Sequence, residues 1–65
     1  MNITVNNQPQ SVSAQTISSL IEELSLETNG VAIALNNKVI PRSEWSVTPI
    51  AEEDKIIVVS AVFGG

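Results

Sequence analysis

Apolar and polar side chains alternate from Met1 to Val5, with Met1, Ile3 and Val5 set against Asn2 and Thr4. That period of two predicts a strand with one buried face. Asn6-Asn7 follows, and asparagine tolerates positive φ better than most residues, so the pair suits a two-residue hairpin turn into a second strand over Gln8 to Ser13. Pro9 has no N–H to donate, which places that strand at a sheet edge. From Thr16 the period changes: Ile17, Leu20, Ile21 and Leu24 share one face of a helix, while Ser18, Glu22 and Glu23 face water. Thr16 is the expected N-cap.

After the turn signal Asn29-Gly30, Val31 to Leu35 reads as a third strand, with Val31, Ile33 and Leu35 on one face and Ala32 and Ala34 on the other. Asn36-Asn37 repeats the earlier turn chemistry and leads to a short strand, Lys38 to Ile40, stopped by Pro41. Arg42 to Ile50 has no clear period and is expected to be a structured connection anchored by Trp45, Val47 and Ile50. Glu52-Glu53-Asp54 reads as a solvated turn. Lys55 to Ser60 holds four consecutive β-branched apolar residues, the pattern of an interior strand covered on both faces.

Two strands, one helix and three further strands have few compact solutions in so short a chain. The order predicts an α+β fold of the β-grasp type: a mixed sheet of four to five strands packed on one main helix, with the first and last strands parallel in its centre. A ferredoxin-like split is the alternative, and it needs a second helix where Pro41 and Pro49 stand.

The 65 residues allow one domain, expected over 1–65 with a flexible tail at 62–65. Cysteine and histidine are both missing, which argues against disulfides, the usual zinc ligands, and nucleophilic or redox catalysis. Seven acidic residues against Lys38, Arg42 and Lys55 give a net charge of -4 and no basic stripe for nucleic acid. No apolar run approaches the roughly 20 residues of a membrane span, and no signal peptide is visible, so the expected location is the cytoplasm.

The remaining feature is Gly64-Gly65. A glycine pair lacks Cβ and has a wide φ range, which suits a terminus threaded through a narrow channel into another protein's active site. The reactive group is then the carboxylate of Gly65, with Phe63 and Val62 beside it as expected partner contacts, the alternative being that they are the last residues of the core strand. Val62 to Gly65 spans about 13 Å when extended.

With these residues the chain resembles the ThiS family of thiamin-pathway sulfur carriers, small ubiquitin-like β-grasp proteins. The resemblance rests on Val31-Ala32-Ile33-Ala34-Leu35-Asn36, on Ile40-Pro41-Arg42-Ser43-Glu44-Trp45, on Asp54 before the last strand, and on Gly64-Gly65. Glu53 departs from it, because the family often has glycine there. The resemblance implies a carrier that is not an enzyme and binds no cofactor itself. A ThiF-like adenylating enzyme using ATP and magnesium would activate Gly65, and a cysteine desulfurase or other persulfide donor would supply sulfur. A ThiG-like thiazole synthase would receive it, the free carrier being a monomer. A molybdopterin-type carrier and a noncatalytic ubiquitin-like binding module or modifier are the alternatives.

Other side chains carry plainer expectations. Trp45 is expected to plug one end of the core, with a partner anchor as the alternative. Arg42 is placed either against a partner's acid or in a local ion pair with Glu44. Ala32 and Ala34 leave a shallow sheet face open to docking.

Overall fold

A computed structural model describes residues 1–26 and 29–60, with the main chain alone at Ser60. Strands β1 (Asn2–Val5), β2 (Gln8–Ser11), β3 (Val31–Leu35), β4 (Lys38–Ile40) and β5 (Lys55–Ser60) form one mixed sheet in the order β2-β1-β5-β3-β4. β1 and β5 are parallel neighbours, and the remaining pairs are antiparallel. Helix α1 (Ile17–Glu23) lies on one face. This is the expected β-grasp arrangement.

Both hairpins turn on asparagine pairs. Asn6 and Asn7 have φ of 51° and 66°, Asn36 and Asn37 of 51° and 72°. Positive φ at both central residues gives a turn whose twist matches its flanking strands, and asparagine adopts it at less cost than a residue with a larger side chain. β2 ends two residues before its expected limit, although the Val12 N–H still donates to the Met1 carbonyl at 2.9 Å.

The helix is short, and its ends are closed by hydrogen bonds. Thr16 Oγ1 accepts from the Ser19 N–H at 3.2 Å, as a cap should. The Ile17 and Ser18 N–H groups donate to the carbonyls of Thr48 and Trp45, both at 3.1 Å, so the Arg42–Ile50 connection serves the first helical turn. At the other end Ser25 adopts φ 54°, its N–H donates to Glu22 O, and the Leu26 N–H reaches back to Ile21 O. These two bonds form a Schellman motif, and Leu26 packs on the core as that motif's apolar contact.

The core gathers Ile3, Val5, Val12, Ala14, Ile17, Leu20, Ile21, Ile33, Ile40, Trp45, Ile50 and Ile56 between helix and sheet. Ile17, Leu20, Ile33 and Ile56 are fully buried; each such side chain contributes about 1.5–3 kcal/mol. Trp45 closes one end, its indole N–H donating to the Ile40 carbonyl at 2.9 Å. The core plug is therefore the correct reading. Arg42 stacks over its ring, 4.9 Å from the centroid, a cation–π contact.

Two expectations are corrected. Val47 is 72% exposed and anchors nothing; a 3-10 turn at Arg42–Glu44 carries Trp45 inward, and the bond from Val47 N–H to Glu44 O keeps the chain curling so that Val47 points out. β5 is interior to the sheet, yet among the described residues it is covered on one face only. Ile56 and Val58 face the helix side, while Ile57 is half-buried and Val59 53% exposed on the other. The unbroken apolar run reflects a central strand with an uncovered outer face.

The acidic turn before β5 is exposed and also wired to its surroundings. Glu52 accepts from the Asn2 N–H at 2.7 Å, and Asp54 Oδ2 accepts from the Ala51 N–H at 2.7 Å. Glu53 has φ 68°, the left-handed region that favours glycine. A glycine at this position needs no such strain. Glu53→Gly is expected to raise stability by about 1 kcal/mol, read as a higher urea midpoint; a lowered midpoint would show that the Glu53 side chain contributes more than its backbone costs.

Candidate functional site

Val62, Phe63, Gly64 and Gly65, all expected at the site, lie outside the described residues. What the structure does fix is the platform from which they leave. β5 ends at Ser60, five residues before Gly65 in the sequence, a reach of about 17 Å if extended. Whatever acts at Gly65 must therefore work close to the end of β5.

β5 is gripped from both flanks. On the β3 side the pairing runs from Leu35↔Ile56 to Val31↔Ser60. On the β1 side Thr4 pairs with Lys55 and Val5 with Ile56, after which the Asn6 N–H donates to Ile56 O at 2.9 Å. The first asparagine of each hairpin turn then adds a side-chain bond to the same strand. Asn6 Oδ1 accepts from the Val58 N–H at 2.8 Å, and Asn36 Oδ1 accepts from the Lys55 N–H at 3.0 Å. Asn36 Nδ2 also donates to Asp54 Oδ1 at 3.0 Å, tying the acidic turn to the second hairpin. The sequence signal for these clamps was the repeated Asn-Asn pair, which alone indicates turns and not the strand they hold.

The face of the sheet away from α1 carries Ala32 and Ala34 on β3, Val39 on β4, and Ile57 and Val59 on β5. The pairs Ala34↔Val39, Ala34↔Ile57 and Ala32↔Val59 set them side by side. Val39 is 67% exposed. The expected shallow face is present, bounded by branched side chains, and its Ala32–Val59 end is the end from which the chain continues toward Gly65.

Among the described residues no three His, Cys, Asp or Glu side chains converge as metal ligands, and no pocket is enclosed. No helix of the described residues is long and apolar enough to cross a membrane.

The ThiS family model matches residues 3–65. The sulfur carrier protein ThiS of Escherichia coli is 32% identical, with both chains covered completely. A thiazole synthase of Paramagnetospirillum magneticum is 27% identical across this whole chain, which corresponds to 20% of that protein's length. The crystal structure of a thiamine biosynthesis protein (ThiS) from Geobacter metallireducens superposes with a TM-score of 0.87 at 26% identity, again over the full length of both chains.

The clamp on β5 makes a measurable claim. Asn36→Ala removes two side-chain bonds and leaves alanine at positive φ, with an expected loss of about 2 kcal/mol. Asn36→Gly removes the same bonds without the backbone cost and should lose about half as much. Equal losses in chemical unfolding would show that the side-chain bonds alone account for this asparagine.

Proposed function

The chain belongs to the ThiS family and is a sulfur carrier of thiamin biosynthesis, and from that premise we propose that its working group is the main-chain carboxylate of Gly65. The observation that carries this reading is the family match running through Gly64-Gly65 in a chain without cysteine or histidine. A carboxylate is a poor electrophile. A ThiF-like adenylating enzyme, with ATP and magnesium, lets a Gly65 oxygen attack the α-phosphorus, and pyrophosphate leaves. The acyl-adenylate now has a good leaving group.

The terminal sulfur of a persulfide, formed by a cysteine desulfurase or another donor, attacks the Gly65 carbonyl carbon and expels AMP. A second thiol opens the resulting acyl disulfide, becoming disulfide-bonded to the donor sulfur and leaving a thiocarboxylate on Gly65. That sulfur is the nucleophile delivered to a ThiG-like thiazole synthase, and hydrolysis of the resulting acyl link returns the carboxylate. The carrier is thus a protein cosubstrate, with its catalytic groups and cofactors on its partners.

The thiazole synthase relative supports the acceptor assignment: a segment like this chain within the same polypeptide as the synthase raises the effective concentration of one for the other. The chain works as one carrier domain, 1–65, in the cytoplasm. Gly64 lets the terminus thread into a narrow site, and Val62 and Phe63 contact the partner that receives it.

Protein recovered from its native cell, or incubated with ATP, adenylating enzyme and persulfide donor, should contain a species heavier by the sulfur-for-oxygen difference in intact-mass analysis. Deleting Gly65 should abolish it. A complete reconstitution that never yields this species would overturn the carboxylate reading.

A further inference from the structure

The phase of hydrogen bonding along β5 leaves one part of the sheet unfinished. The Asn36 N–H donates to Lys55 O at 2.8 Å, so the main-chain groups of Lys55, Ile57 and Val59 face β3. Those of Ile56, Val58 and Ser60 face the opposite flank, toward β1. There the Asn6 N–H takes Ile56 O, and the chain then turns away at Asn6-Asn7, leaving only the Asn6 side chain to cover the Val58 N–H. Next on this flank come Val58 C=O and Ser60 N–H, and among the described residues no main-chain partner faces them.

We infer that the adenylating partner adds an extended segment of its own chain to this edge of β5, over Val58–Ser60. The inference rests on Gly65 being the group that the partner activates. Two observations converge on it. A residue placed opposite Val59 in a parallel strand would donate to Val58 O and accept from Ser60 N–H, continuing the ladder that β1 abandons. Val59 itself is 53% exposed on the open face, giving that segment an apolar side chain to pack against.

The outer edges of the sheet are less suited to such pairing. β2 carries Pro9, and β4 has three residues and begins with Lys38. The unfinished edge is also the part of the sheet nearest the reacting end. Five residues follow Ser60, so an enzyme holding Gly65 has its surface within about 17 Å of this strand. A main-chain ladder there would set the direction in which the tail enters, independently of tail side chains.

Ser60→Pro tests this, because it removes the Ser60 N–H and puts a ring in its place while sparing the bonds to β3. With ATP, magnesium and the cognate adenylating enzyme, pyrophosphate release should show KM for the carrier raised about tenfold, the cost of one unsatisfied hydrogen bond, with kcat little changed. Amide exchange of the wild-type chain supplies a second readout that holds even if the variant folds poorly. The Ser60 N–H should be protected about a hundredfold on complex formation. Wild-type KM in a folded Ser60→Pro variant, or Ser60 exchange unaltered by the enzyme, would overturn the inference and leave the role of Gly65 intact. A wild-type chain that is never adenylated would overturn the Gly65 reading and this inference with it.

Discussion

The fold depends on the insertion of β5 between β1 and β3. Neither hairpin has a partner for its inner edge until the last strand arrives, and isolated two-stranded hairpins are at best marginally stable in water. β5 joins them with parallel pairing on one side and antiparallel on the other, and brings Ile56 into complete burial beneath the helix. The asparagines of the two hairpin turns strengthen this joint by bonding to β5 main-chain amides as well as shaping their own turns. Folding thus couples the beginning of the chain to its end.

That coupling also serves the chemistry. In the proposed function the Gly65 terminus is presented to one enzyme after another, and the segment just before it then needs a firm base. Here the base is the central strand of the sheet, whose main-chain groups are held as far as Val58 on the β1 side and through the Ala32↔Val59 pair on the β3 side. The apolar outer face formed by Ala32, Ala34, Val39, Ile57 and Val59 adjoins the same end. A compact domain without a pocket among its described residues still offers a partner a surface, an edge and a direction.

Local chemistry made much of the fold legible. The Thr16 cap, the helical face of Ile17, Leu20 and Ile21, and the asparagine turns follow from interactions within a few residues, and each holds in the structure. Trp45 as a core plug was legible because one large aromatic beside prolines has few other uses in so small a core. Val47 was misread because an aperiodic connection gives no face to count on, and its 3-10 turn decides which side chains point in. The Schellman end at Ser25 was also hidden, since serine is an uncommon residue for the left-handed position that closes it. For the site, Gly64-Gly65 was legible as a motif, whereas the asparagine clamps on β5 were not, because each joins residues far apart in sequence.

The sequence by itself determined the elements, their order, and a resemblance that directed attention to the Gly65 carboxylate. Those properties are set by side-chain period, turn propensity and the absence of competing reactive groups. Only the tertiary structure decided which face of β5 is covered and where its ladder stops. An apolar run is the same whether one face or both are buried; one helix can cover only one face of the sheet. The hydrogen bonds of β5 likewise depend on where a strand some fifty residues earlier turns away, which no local pattern around Val58 or Ser60 records.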